Sequence, residues 1–183
     1  IRIGKPISSI YILWGSLLIV LIVLVSYASL YCAVDFSSAN HMAIIAKSQL
    51  SGGVITKHNA WHYFPIAALG FTTISPFTEE PFFRGLLLRS LEKKFSALSA
   101  NLFQALPFAL VHLAYYWLWE FNLWIIIPTF LLLPTPLLFG WVVQKTNSVL
   151  SSIILHVAHN FTAILLVYAF VTVSYTHLRA HET

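Results

Sequence analysis

Charge is what this sequence has least of. Asp, Glu, Lys and Arg make up 9% of its 183 residues, whereas hydrophobic residues make up 58%. Soluble globular domains carry about 25% charged residues, so the composition excludes an ordinary soluble domain and predicts an integral membrane protein. It also speaks against nucleic-acid binding, because the net charge is only +4 and no basic run is longer than Lys93-Lys94.

Cysteine is almost absent as well. The one cysteine, Cys32, excludes an intrachain disulfide and leaves the redox compartment undetermined. The first apolar segment is too long for a signal peptide and lacks a clear cleavage site. Because the chain begins at Ile1 rather than Met, we expect a piece of a longer protein. Residues 173–183 resemble one reading frame of a transposon adapter from shotgun sequencing; we interpret them as an artefact, with a genuine polar tail as the alternative.

Long apolar segments dominate the rest of the chain. A helix needs about 20 apolar residues to cross a bilayer, and the pattern predicts an all-α, multi-pass transmembrane bundle of about five spans. The predicted spans are residues 7–31, a segment from 60 into the charged motif, 97–119, 122–143 and 149–171. The predicted division is a first span within 1–34, a connecting segment at 35–59 and a membrane-embedded core at 60–172.

Prolines and loop charges refine this topology. We expect a break or kink at Pro76 and a new helix that starts at Pro81, with Ser75 or Thr78 as its cap. This helix should continue to about Leu91. Lys and Arg lie before the first span and after the second and fourth spans, which predicts a cytoplasmic N-terminus. Asn101 and Gln104 indicate that the third span becomes truly apolar only near Leu102 or later.

Three charged side chains interrupt the apolar sequence within six positions: Glu79, Glu80 and Arg84. A charge at membrane depth costs roughly 3 kcal/mol on insertion scales, so we expect these groups to do chemistry or to anchor something that does. In a helix Glu80 and Arg84 are i,i+4 neighbours and can pair. Glu79 points about 100° away from Glu80 and stays available as a general base. The alternative is an ion pair at a helix end, with Glu79 simply solvated.

Three more polar side chains lie within apolar segments: His112, His156 and Asn160. His156 and Asn160 share one helical face at i,i+4 spacing. Because lipid offers no hydrogen-bond partners, we expect these side chains and Glu79 to gather around one water-accessible cavity. Unrelated hydrogen bonds between helices are the alternative. We interpret His159 as a packing residue, with a nearby hydrogen bond or a spare ligand as the alternatives, and His58 and His62 as interfacial.

Taken in order, these residues form three motifs. They are Glu-Glu-x-x-x-Arg at Glu79, Glu80 and Arg84, Phe-x-x-x-His at Phe108 and His112, and His-x-x-x-Asn at His156 and Asn160. The set resembles the CAAX prenyl endopeptidase and bacteriocin-processing (CPBP) family of intramembrane proteases. The resemblance covers about residues 64–171, and Gly85 and Gly140 match it too.

The resemblance implies hydrolysis of a peptide bond within a helical membrane core. The substrate would be a peptide or membrane protein, of CAAX type or bacteriocin-like. The implied catalytic set is Glu79, Glu80, Arg84, His112, His156 and Asn160. Glu79 would activate water, assisted by His112. His156 and Asn160 would stabilise the oxyanion or complete the water site, and the remaining ion pair would organise the site.

The family is described both as metalloproteases and as glutamate-dependent enzymes without a metal. The cofactor is therefore either none or a divalent metal such as zinc, for which Glu79, His112 and His156 are the candidate ligands. His-Glu-x-x-His is absent, and we favour glutamate-activated water. We expect the protein to lie in the lipid bilayer of a prokaryotic plasma membrane.

Two non-enzymatic functions stay open at this point. A transporter or bacteriocin-immunity protein could use the same polar groups as a proton or ligand relay. A scaffold could use them only to hold the helices together. The sequence shows no inverted repeat, which disfavours a transporter.

Overall fold

The computed structural model describes residues 9–33, 60–119 and 133–179, and each regular element within these ranges is helical. The elements are α1 (Ser9–Ala33), α2 (Ala60–Glu80), a π-helical segment (Pro81–Leu88), α3 (Arg89–Leu91), α4 (Ala97–Trp119), α5 (Pro134–Thr146) and α6 (Val149–Arg179). The prediction of an all-α fold is confirmed for these residues. The predicted connecting segment at 35–59 and the first half of the predicted fourth span, residues 122–132, lie outside them.

Among the described residues, one helical window is both long and apolar enough to cross a membrane. This window, Val149–Leu166 in α6, has a mean hydropathy of 1.7. Ile10–Leu24 in α1 and Ala97–His112 in α4 are shorter apolar helices. Length and composition thus support one crossing directly, and further crossings remain a proposal.

Helix α2 runs through Pro76 without interruption. Of the predicted break or kink, the break is therefore absent, and the kink stays a prediction. Proline removes one backbone hydrogen bond, but helices in apolar surroundings tolerate it when neighbouring groups satisfy the backbone. The predicted cap is wrong. Ser75 Oγ donates to Glu79, and Thr78 Oγ1 donates to the carbonyls of Ile74 and Ser75, so both hydroxyls act within a continuing helix.

The winding of the chain changes at Pro81. Because Pro81 has no N–H, it cannot bond to the carbonyl of Phe77 one turn earlier. Pro81–Leu88 is wound as a π-helix, and Arg89–Leu91 returns to α-helical winding. The predicted helix from Pro81 to Leu91 is therefore confirmed in extent, but its wider winding was not anticipated. Such π-helical turns are rare and are frequent at functional sites.

Helix α6 is the centre of the described bundle, because α1, α2 and α5 all pack against it. An apolar core joins α1, α5 and α6 through Ile19, Val23, Leu138, Phe139, Val142 and Leu155. Gly15 allows α1 to lie close to α6, since a Cβ there would stand only 3.0 Å from Leu155 Cδ1. Small residues at helix contacts are typical of membrane bundles, in which backbones approach closely.

Helix α4 carries its polar residues inside and its leucines outside. Asn101 and Gln104 are buried, whereas Leu98, Leu106 and Leu110 are at least half exposed. A soluble amphipathic helix has the opposite arrangement. Both side chains point into the protein, where they hydrogen-bond. The depth at which the third span becomes apolar stays a prediction.

These two amides join α4 to the backbone of α5. Asn101 Nδ2 donates to the carbonyl of Leu137 at 2.9 Å, and Gln104 Nε2 donates to the carbonyl of Pro136 at 3.0 Å and to Asn101 Oδ1 at 2.8 Å. Gly140 leaves room for them, because a Cβ there would overlap Asn101 Oδ1 and lie 2.9 Å from Gln104 Nε2. The close contact between α4 and α5 thus depends on the missing side chain.

We expect Gly140→Ala to lower the free energy of unfolding by about 1–3 kcal/mol, as overpacking of a filled interior does. The added methyl group must displace Asn101, and this displacement breaks its hydrogen bond to the carbonyl of Leu137 in α5. Thermal unfolding of the purified protein in detergent micelles measures the change.

Gly70→Ala is the matched control, because nothing lies within 4 Å of a Cβ at Gly70. Alanine is favoured over glycine in a helix interior by about 1 kcal/mol, so this variant should be as stable as the wild type or more stable. Equal destabilisation by both substitutions would contradict the packing account.

Candidate active site

A buried charge cluster joins the π-helical segment to α6. Arg84 Nη1 donates to Glu80 Oε1 at 3.0 Å, and both side chains have 0% exposure. His156 Nδ1 lies 2.8 Å from the same oxygen. The Glu80–Arg84 pair predicted from i,i+4 spacing is therefore present, and it has a histidine partner from another helix. Because a carboxylate accepts, His156 Nδ1 carries the hydrogen in this contact.

The guanidinium of Arg84 is held by groups from two further helices. Its Nη2 donates to the carbonyl of Pro136 in α5 at 3.2 Å. Its Cζ lies 4.5 Å from the ring centroid of Phe108 in α4 and 5.2 Å from that of Phe139 in α5. A planar guanidinium between aromatic faces gains cation–π attraction, which is larger where water is excluded. Arg84 thus ties α4 and α5 to the carboxylate of Glu80.

Glu79 points away from this pair, as predicted, and faces α4. Its Oε1 accepts a hydrogen bond from Ser75 Oγ at 2.5 Å. Its Oε2 lies 4.0 Å from His112 Nε2, and the two side chains are 27% and 32% exposed. Glu79 Oε2 itself is shielded from solvent and has no hydrogen-bond partner among the described residues. The side chain of Glu79 is therefore partly exposed while its Oε2 is shielded, and Arg84 makes its ion pair with Glu80 rather than with Glu79.

A backbone hydrogen bond determines the tautomer of His112, and therefore which ring nitrogen lacks a proton. His112 Nδ1 lies 2.8 Å from the carbonyl of Phe108, and because a carbonyl only accepts, Nδ1 carries the hydrogen. In the neutral ring Nε2 is then an acceptor. Two acceptors, Nε2 and Glu79 Oε2, face each other at 4.0 Å. This distance is too long for a direct hydrogen bond and suits one donor molecule between them.

Asn160 lies one turn beyond His156 on α6, as its spacing predicted. Its Oδ1 is 3.1 Å from Nδ1 of His159, and the His159 ring is 6.4 Å from the ring of His156. An amide whose oxygen accepts from an imidazole presents its NH₂ group as a donor elsewhere. His159 thus packs beside the site and orients a neighbouring side chain.

The candidate residues form two contacts rather than one cluster around Glu79. Glu79 faces His112, and Glu80 binds His156. The ring of Phe108 contacts both halves: its centroid is 4.4 Å from that of the His112 ring and 6.2 Å from that of the His156 ring. Each glutamate of the motif is therefore matched with a histidine from a different helix.

This arrangement of motifs can be compared with known proteins. Residues 60–162 match the family described as Rce1-like, type II CAAX prenyl endopeptidase Rce1-like. The match covers more than half of the chain and includes all three motifs. The chain belongs to the Rce1-like family. The resemblance drawn from the motifs is thereby confirmed, and membership makes this Rce1-like chain a CAAX-type intramembrane protease in general terms. No curated protein and no solved structure matches it.

The three candidate metal ligands, Glu79, His112 and His156, do not form a metal site in this structure. His156 Nδ1 binds Glu80 and not Glu79. Within the ranges 9–33, 60–119 and 133–179, no three His, Cys, Asp or Glu side chains are grouped so that they could hold a metal ion.

Four groups at the site were not singled out from the sequence as site residues: Ser75, Gln104, Pro136 and Phe139. Ser75 and Glu79 are i,i+4 neighbours, so their contact was accessible to the spacing argument used for Glu80 and Arg84. The carbonyl of Pro136 accepts from both Arg84 Nη2 and Gln104 Nε2. A contact to a backbone carbonyl from a distant segment leaves no signal in the sequence.

We expect Glu80→Gln to lower the free energy of unfolding by about 3–5 kcal/mol, the usual result of breaking a buried ion pair by removing one partner. The neutral amide would leave the charge of Arg84 uncompensated in the protein interior. Thermal unfolding in detergent micelles measures the loss of stability.

Glu92→Gln is the matched control. Glu92 pairs with Arg89 at 2.9 Å, but these side chains are 22% and 32% exposed, and exposed pairs contribute at most about 1 kcal/mol. If Glu80→Gln and Glu92→Gln lower the melting temperature by the same small amount, the buried Glu80–Arg84 pair does not hold α4 and α5 in place.

Proposed function

We propose that this Rce1-like protein is a multi-pass membrane endopeptidase in which Glu79 and His112 together activate the hydrolytic water. The observation that carries the proposal is the 4.0 Å separation of Glu79 Oε2 from His112 Nε2. Both atoms are acceptors, and they lie beside a buried ion pair that holds the adjacent glutamate in place. Family membership supports peptide hydrolysis in general, and the roles of the individual residues are our proposal.

A water molecule fits between these two acceptors as a donor to both. Two hydrogen bonds of about 2.8 Å span such a gap with an angle of roughly 90° at the water oxygen. Both protons of the water are then engaged, and its lone pairs are directed away from Glu79 and His112. A water held in this way is oriented to attack a carbonyl carbon.

Glu79 takes one proton as the oxygen of the water bonds to the carbonyl carbon of the substrate. The carbonyl oxygen becomes an oxyanion in the tetrahedral intermediate. When the carbon–nitrogen bond breaks, Glu79 returns that proton to the departing amine. The products are a carboxylic acid and an amine, and the carboxylate of Glu79 is regenerated.

His156 and Asn160 are the proposed donors to the oxyanion. Because His156 Nδ1 is engaged by Glu80, Nε2 is the nitrogen that would meet the substrate, and it donates when it carries a proton. Arg84 already balances the charge of Glu80, so a protonated His156 leaves the cluster with one net positive charge. One well-placed donor contributes about 100–1000-fold to the rate of such reactions.

Several observations support insertion of more than one helix in the bilayer. The face of α4 that carries Leu98, Leu106 and Leu110 is exposed and apolar, and such a face requires an apolar surrounding. Family membership implies a membrane-embedded protein. We propose that α1, α2, α4 and α6 cross the membrane, together with a span that ends in α5.

The basic residues of two loops lie at one end of the bundle. Arg89 Nη2 donates to Asn147 Oδ1 at 2.6 Å, which brings the loop after α3 next to the turn between α5 and α6. Lys93, Lys94 and Lys145 are exposed in these segments. By the preference of basic loops for the cytoplasm, this end and the N-terminus are cytoplasmic.

A peptide is the proposed substrate, of CAAX type or bacteriocin-like. The family description names prenyl endopeptidases, and an internally quenched peptide with a Cys-aliphatic-aliphatic-X terminus, prenylated and unprenylated, is the first probe. Family membership favours hydrolysis over transport, immunity or a scaffold role, and no contact in the described residues specifically favours those alternatives.

We expect Glu79→Gln to reduce kcat by about 100- to 10,000-fold, the usual contribution of a general base. His112→Ala and His156→Ala should each reduce it by at least about 100-fold. Cleavage of a peptide that the wild type hydrolyses, first found with the CAAX-type probe or an unbiased peptide library, measures the effect in detergent micelles.

His62→Ala is the control, because His62 is an exposed histidine on the same helix as Glu79 and should leave cleavage unchanged. Melting temperatures of all variants separate loss of chemistry from loss of folding. Wild-type rates in folded Glu79→Gln, His112→Ala and His156→Ala proteins would refute the proposed mechanism.

We expect a single cysteine at Lys94→Cys, in a Cys32→Ser background, to react with a membrane-impermeant maleimide only after the cells are permeabilised. A cysteine at His62→Cys, near the other end of α2, should react in intact cells. The reverse labelling pattern would invert the proposed orientation, and labelling of both sites from one side would contradict a membrane crossing between them.

A further inference from the structure

We propose that Ser75 is a positioning residue that orients the carboxylate of Glu79 toward His112. The inference rests on the proposed function, in which Glu79 is the general base. Ser75 lies one helical turn before Glu79 on α2, and we assign it no bond to the hydrolytic water or to the substrate. Its role is to determine which way the carboxylate faces.

The two oxygens of Glu79 have different surroundings. Oε1 accepts from Ser75 Oγ at 2.5 Å, and Oε2 lies 4.0 Å from His112 Nε2. The terminal torsion of a glutamate is broad and has little preference of its own. A hydrogen bond to one oxygen therefore sets the rotation of the group and directs the other oxygen at the proposed water.

The other hydroxyls of α2 show that this contact is not the ordinary one. Thr72, Thr73 and Thr78 each donate to a backbone carbonyl one turn earlier, on Ala68, Leu69 and Ile74 respectively. This is the common arrangement for a hydroxyl within a helix. Of the four Ser and Thr side chains in Ala60–Glu80, Ser75 is the one whose hydroxyl bonds to a side chain.

The continuity of α2 through Pro76 is what makes the contact possible. Ser75 and Glu79 lie on the same face only while the residues between them are helical. A break at Pro76 would change their relative direction and separate the hydroxyl from the carboxylate. The unbroken helix thus has a consequence at the site itself.

The test compares Ser75→Ala with Thr73→Ala, since each removes one hydroxyl from α2. Hydrogen bonds to charged groups contribute about 1.5–3 kcal/mol, and loss of this one should reduce kcat by about 10- to 100-fold. KM should change less than about twofold, because Ser75 does not contact the substrate. Thr73→Ala should retain the kcat of the wild type. The probe is the peptide used for Glu79→Gln.

Ser75→Thr retains a hydroxyl at the same position and should restore most of the lost kcat. Ser75→Cys keeps the size of the side chain but offers only a weak donor, so it should resemble Ser75→Ala while keeping the wild-type melting temperature. These two variants separate the donated hydrogen bond from packing, even where Ser75→Ala is poorly folded.

The outcomes also separate this inference from the proposed function. Wild-type kcat in folded Ser75→Ala and Ser75→Cys proteins, with Glu79→Gln inactive, would overturn the positioning role and leave the general base intact. Wild-type activity of Glu79→Gln would overturn both. The double variant Glu79→Gln, Ser75→Ala should have the same residual kcat as Glu79→Gln alone. If Ser75→Ala lowers kcat by the same factor in the Glu79→Gln background as in the wild type, Ser75 has only a structural role.

Discussion

The buried ion pair between Glu80 and Arg84 is the interaction on which the rest of the site depends. Each charge alone would be costly to bury, and together they are tolerated because they pair with each other and share further partners. Among the described residues, Glu80 Oε2 and Arg84 Nε are buried without a hydrogen-bond partner. His156 of α6 binds Glu80 Oε1, the oxygen that pairs with Arg84, and the Pro136 carbonyl of α5 accepts from Arg84. One pair thus fixes the relative position of three helical segments, and this explains how charged side chains persist in so apolar a protein.

The same ion pair gives the two neighbouring glutamates different environments. Glu80 is fully buried and pairs with a cation, so it is committed to structure. Glu79 points in another direction, is partly exposed and faces His112 at 4.0 Å. Two carboxylates side by side in the sequence would repel each other if they shared one environment. The helix directs them to different sides, where Ser75 donates to Glu79 and Arg84 pairs with Glu80.

The outer and inner surfaces of α4 show how an apolar surrounding changes the rules of packing. Leucines cover the exposed face, while Asn101 and Gln104 bind the backbone of α5 in the interior. Such contacts need close helices, and Gly140 provides the space. Gln104 and Arg84 both donate to the carbonyl of Pro136. The contact between α4 and α5 therefore also positions the acceptor for the guanidinium. Packing and site geometry are therefore parts of one network.

The sequence by itself determined the helical fold, the Glu80–Arg84 pair, the separate direction of Glu79 and the family. These features follow from composition and from spacing within one helix, where 3.6 residues per turn sets which side chains are neighbours. Only the tertiary structure decided that His156 binds Glu80, that His112 faces Glu79, that α2 continues through Pro76 and that the chain is π-helical after Pro81. Contacts between helices depend on how each helix is rotated and shifted against the others, and this is set by packing across distant segments, which no local pattern encodes.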